Sequence, residues 1–145
     1  MNRLILSTLL ASLLLIEGSL AEKETDEQVA ARSDVIDLAT AFQNDGFKIR
    51  DGTFFGKSSK DHAVIVAVNL YNGDAYWFTA ASAIKSANLK VSVFDEAGKP
   101  VSYELYQAGS RAAAGFSPEA SGLYYVKVSS EDSQPATFCL IYTYK

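Results

Sequence analysis

The chain has 145 residues, 48% of them hydrophobic and 21% charged, with 13 Lys and Arg against 17 Asp and Glu for a formal net charge of −4. Mild acidity without any basic cluster argues against nucleic acid as a partner, because binding phosphates takes grouped Lys and Arg. One cysteine, Cys139, rules out an internal disulfide, and one histidine, His62, leaves a zinc centre poorly supplied with ligands.

The first 21 residues, MNRLILSTLLASLLLIEGSLA, combine a basic Arg3, an apolar run from Leu4 to Ile16, and small residues at Ser19 and Ala21. That is the pattern of a secretory signal peptide cut before Glu22, and it is too short to cross a bilayer. An exported product is therefore expected, periplasmic or extracellular, with no membrane span. The residues from Glu22 to Lys145 suit one domain large enough to bury a core without staples.

Residues 22–45 are expected to form a charged leader and one amphipathic helix. Thr25 and Gln28 have the spacing of a capping box. Val29, Ile36, Ala39 and Phe42, with Val35 and Leu38 alongside, recur at helical spacing. Asn44-Asp45-Gly46 stops the helix.

From residue 46 to 145 the apolar period changes to two, which predicts strands. In 62–70, Val64, Val66, Val68 and Leu70 share a face. In 89–95, Leu89, Val91 and Val93 do the same. Val101, Tyr103 and Leu105 alternate with polar neighbours, as do Tyr124, Val126 and Val128. The last run, 137–144, is apolar on both faces and fits a central or doubly covered strand. Turn signals separate the runs, and Asn72-Gly73 is expected to fold the chain back as a tight hairpin. The fold class is mainly β: an antiparallel, jelly-roll-like β-sandwich preceded by one N-terminal amphipathic helix.

Three segments carry a more specific likeness: VNLYNGDAYWFTAAS, LKVSVFDEAGKPV and AGFSPEASGLYYVKV. Leu70, Gly73, Tyr76 and Phe78, then Asp95 and Gly98, then Pro118, Ser121, Gly122, Tyr124 and Val126 fall at pattern positions. Over residues 46–144 the chain resembles the bacterial pre-peptidase C-terminal domain. The resemblance implies a jelly-roll-like sandwich of an exported protein, and some relatives bind collagen or carbohydrate with calcium nearby. Three departures stand out: there is no protease domain, a helix comes first, and Ser-Ala-Ile-Lys-Ser-Ala-Asn stands where many relatives have Asp-rich segments.

Chemistry is thinly represented. His62 follows Asp61 at a strand start, where adjacent side chains point to opposite faces, so the two do not form a dyad directly. No catalytic residue, metal ligand or cofactor site is assigned from the sequence. Asp74, Asp95-Glu96 and Glu131-Asp132 are expected to be solvated turn acids rather than calcium ligands. Aromatic residues are the remaining signal. Tyr76, Phe78, Tyr103 and Tyr124 phase inward, whereas Trp77, Phe94, Tyr106 and Tyr125 phase onto the opposite face. Those four are the candidate ligand-binding residues, suited to a glycan or a protein or peptide ligand if the face is open. The helix is expected to lie over that face, since its apolar stripe needs a partner. A non-catalytic, exported binding module is thus the leading reading. Its alternatives are a small hydrolase using His62 and a calcium-assisted carbohydrate- or protein-binding module.

Overall fold

A computed structural model describes residues 22–50, 52–101 and 103–145; the expected signal peptide, 1–21, lies outside the described residues. Thr25 opens the first element. Its hydroxyl accepts from the Gln28 N–H at 3.2 Å, and Gln28 Oε1 accepts from the Thr25 N–H at 2.9 Å. This reciprocal cap satisfies two free donors at the start of α1, Asp26–Gln43. Asp26 and Glu27 stand in the first turn, at the positive end of the helix dipole.

Among the described residues nine strands follow: β1 Lys48–Ile49, β2 Phe54–Ser58, β3 Val64–Leu70, β4 Tyr76–Ser82, β5 Leu89–Asp95, β6 Glu104–Ala108, β7 Arg111–Phe116, β8 Gly122–Ser130 and β9 Ala136–Tyr144. They form two antiparallel sheets. The larger has the order β1-β9-β4-β7-β6, with β2 also paired to β9, and the smaller is β3-β8-β5. Leu70, Phe78, Leu89, Val91, Val93, Val126, Val128, Phe138 and Leu140 fill the space between them. Each such side chain, fully buried, contributes about 1.5–3 kcal/mol. The chain is a β-sandwich preceded by a helix, as the alternating valines predict.

Three local expectations are corrected. Asn72-Gly73 is not a hairpin turn, because β3 pairs only with β8 while β4 pairs with β7 and β9. It arches from one sheet to the other, with Gly73 at φ +97°. A turn residue reports the local backbone angle, not which sheet receives the next strand. Leu105, expected inside, is 58% exposed. It lies opposite the core residue Ala114, but its strand is the last of the larger sheet, so its side chain stands at the rim of the sandwich. The third correction concerns α1: Val29 and Ile36 are 46% and 41% exposed, and the buried line is Ala31, Val35 and Ala39. Small side chains four residues apart let the helix lie close against a sheet, and larger ones flank the contact.

That contact covers the outer face of the larger sheet. Ala31, Val35 and Ala39 meet Ala81, Cys139 and Ile141, with Phe55 beside them. β9 is accordingly buried on both faces, between the core and α1, as its apolar run predicts. Polar contacts fix the helix position. Asp34 pairs with Lys85 and, at 3.4 Å, with Arg111. Thr137 Oγ1 donates to Glu27 Oε2 at 2.8 Å.

Candidate functional site

Among the described residues, α1 covers the outer face of the larger sheet and the outer face of β3-β8-β5 is left uncovered. Register brings its side chains together. Tyr125 lies opposite Ala67 on one side and Phe94 on the other. In the next row, Lys127 lies between Ile65 and Ser92. Ile65 is 61% exposed. The Lys127 ammonium sits 5.3 Å from the centroid of the Phe94 ring, a cation–π distance. Ile65, Phe94, Gly98, Tyr125 and Lys127 line a depression of about 410 Å³. The outward positions of these three strands include Lys90 and Lys127 and no Asp or Glu. An acidic protein thus presents a basic, aromatic surface on this side.

The four aromatics expected on one face are divided between two sheets. Phe94 and Tyr125 share the open face just described. Trp77 and Tyr106 stand on the outer face of the larger sheet, on strands separated by β7. The alternation of a strand distinguishes inward from outward, but a sandwich has two outward faces. The helix covers Trp77, as expected for the whole set, yet leaves Phe94 and Tyr125 open. Trp77 stacks on Phe42 with ring centroids 4.6 Å apart. Tyr106 is 41% exposed on the edge strand. Ile65 and Lys127 are legible as outward positions in HAVIVAVNL and LYYVKV, but neither is aromatic, so the aromatic signal passes over both.

A second, larger hollow of about 700 Å³ lies where α1 ends, lined in part by Asp45, Phe47, Trp77, Tyr103, Glu104 and Lys145. Four of these residues are already engaged. Lys145 Nζ donates to the Asp45 carbonyl at 2.9 Å and lies 4.6 Å over the Phe47 ring. Trp77 has Phe42 on one face and Gly115 packed against its indole, so it offers no ring face to a ligand.

The remaining candidates are held apart or occupied. His62 is exposed in the β2–β3 connection, whereas Cys139 is wholly inaccessible beneath α1. Burial pushes the Cys139 thiol up to about 12. Asp74 accepts from the Tyr76 hydroxyl at 3.1 Å, and Asp95 accepts from the Lys99 N–H at 2.8 Å. Among the described residues, no three His, Cys, Asp or Glu side chains converge to hold a metal ion. Nor, among them, is any helix long and apolar enough to cross a membrane. The Asn72 turn is structural, since its N–H donates to Ser121 Oγ at 2.9 Å and docks the arch on the β7–β8 loop. Tyr124 closes the same end, its hydroxyl donating to the Ala120 carbonyl at 2.7 Å. Compared with protein-family models and with curated proteins, the chain matches none of either.

Proposed function

We propose that this protein is an exported, non-catalytic β-sandwich that binds an extended ligand on the outer face of β3-β8-β5. The observation that carries this reading is the open row of Tyr125 and Phe94 with Lys127 over the Phe94 ring. A ring face with an adjacent ammonium suits a sugar polymer bearing acidic groups: the sugar stacks on Tyr125, and its acid pairs with Lys127. A glycan is favoured over a peptide because the two aromatic residues are cross-strand neighbours on an open sheet face, whereas extended peptides add to a strand edge or fill a groove. The pattern residues of the pre-peptidase C-terminal resemblance build turns and core here, so that resemblance supports the sandwich scaffold and not the ligand class.

Binding of acidic and neutral polysaccharides tests the proposal, with Tyr125→Ala, Lys127→Glu and Trp77→Ala compared. The first two are expected to weaken binding at least tenfold with folding retained, and Trp77→Ala to bind like the parent. Acidic polymer bound equally by all three variants would sink it. Export is tested by the N-terminus of the released product, expected at Glu22.

A further inference from the structure

Among the described residues, β6 is the last strand of the larger sheet and is paired only along its β7 side. All five of its residues are exposed, including Leu105 at 58% and Tyr106 at 41%. Proteins usually blunt such an edge with charged side chains, above all Lys, with Pro or with a bulge, and Glu-Leu-Tyr-Gln-Ala has a single charge, at its first residue. The edges of the smaller sheet are better protected. The backbone of residues 99–101 bonds to Asp95 and Val93 along β5. β3 runs beside β2, with Val64 close against Gly56.

The direction of the free backbone groups follows from the hairpin. Gly109-Ser110 joins β6 to β7 with Ala108 opposite Arg111. In a two-residue hairpin the flanking pair exchanges hydrogen bonds, and bonded pairs then alternate. The backbone groups of Glu104, Tyr106 and Ala108 therefore turn towards β7. Those of Leu105 and Gln107 turn to the open edge.

We propose that β6 pairs antiparallel with β6 of a second copy of this chain, about a two-fold axis through Tyr106. This register puts Leu105 opposite Gln107 of the second copy, so the four outward backbone groups of each strand meet those of the other. Glu104 falls opposite Ala108, and no like charges oppose. Tyr106 faces Tyr106 of the second copy, an aromatic cross-strand pair. The contact is isologous, so it uses up both edges and stops at two copies. Both small sheets then lie on the same side of one continuous large sheet.

The experiment is sedimentation of residues 22–145, which carry every described element, with four variants. The parent is expected to sediment at twice the chain mass. Gln107→Pro removes an N–H aimed at the open edge and none used by β7; Leu105→Lys charges that edge. Each is expected to be monomeric with an unchanged far-UV circular dichroism spectrum. Under mild oxidation Tyr106→Cys is expected to form a covalent dimer, because a directly opposed non-hydrogen-bonded pair suits disulfide geometry. Gln107→Cys, displaced from its own copy in this register, is expected not to. A monomeric parent would overturn the proposal, including one that instead captures an added peptide strand. So would a dimer that survives both edge variants, or one that cross-links through position 107 rather than 106.

Discussion

Trp77 lies on Phe42 with ring planes 12° apart, so a single aromatic pair fastens the end of α1 to β4. The tryptophan is half-buried rather than enclosed. Truncating it to Ala is expected to cost about 3 kcal/mol, the low end for a core Trp. Phe42→Ala in combination is expected to show a coupling of about 1 kcal/mol, as for stacked pairs generally. Urea unfolding of the two single variants and the double variant measures both. An unchanged midpoint for Trp77→Ala would mean that the Ala31-Val35-Ala39 line and the polar contacts hold α1 without this stack.

The other side of the indole explains a glycine. Trp77 lies directly opposite Gly115 in the β4–β7 register. A Cβ at position 115 would stand 2.8 Å from Trp77 Cζ2. Gly115→Ala should therefore push the indole off the sheet and loosen its stack on Phe42, with a loss of about 1–3 kcal/mol. Trp fluorescence should shift to the red in the folded variant. A Gly115→Ala protein as stable as the parent, with unshifted emission, would contradict this packing.

How much of the fold is legible in the sequence depends on what each signal reports. The alternating valines of β3, β5 and β8 mark the core, because period two follows from the pleat itself. Thr25 and Gln28 mark the helix start for an equally local reason. β7 is not legible as a strand: Ala112, Ala113 and Ala114 have low strand propensity, and they form one because small buried residues fit between β4 and β6. The candidate face is half legible. Phe94 and Tyr125 phase outward, but only the sheet order separates them from Trp77 and Tyr106. The helix stripe is half legible too: Val35 and Ala39 belong to it and are buried, but small Ala31 is passed over and the larger Val29 and Ile36 are taken in although they face solvent.

Thr79 is fully buried under α1, between Ala113 and Ile141 in register, and its Oγ1 has no hydrogen-bond partner. A buried hydroxyl without a partner keeps its desolvation cost. Thr79→Val preserves the branched shape and removes that cost. Stability is expected to rise by about 1 kcal/mol, seen as a higher melting temperature. A fall would reveal that the hydroxyl is bonded in solution.

Acid should loosen the helix through Asp34. The hydrogen bond from Lys85, aided by the charges of Lys85 and Arg111, holds its carboxyl below its ordinary 3.8 against the opposing effect of burial. A carboxylate lowered on folding stabilises the protein above its unfolded pKa, and that contribution fades as pH falls through the folded value. Asp34→Asn is thus expected to lower the melting temperature at pH 7, with the gap from the parent closing below about pH 4. Melting curves of both proteins from pH 7 to pH 3 give the comparison. A gap that stays constant across that range would assign the effect to packing rather than charge.

Cys139 provides a probe of whether α1 stays docked. Its side chain sits between β9 and the helix line of Ala31, Val35 and Ala39, with no accessible surface. Burial is the main cause of its raised pKa; Glu24 adds to it, and Arg32 offsets part of it. Only the thiolate attacks an alkylating reagent. A rise from 9.0 to about 12 leaves about a thousandfold less thiolate at pH 8 than an ordinary cysteine has. Native labelling by a polar reagent is therefore expected to be much slower than labelling in denaturant. What labelling occurs should pass through opening of the helix, so Val35→Ala, which thins the contact, should speed it. Rapid labelling of the parent, or a Val35→Ala rate equal to it, would mean that the thiol is reached without lifting α1.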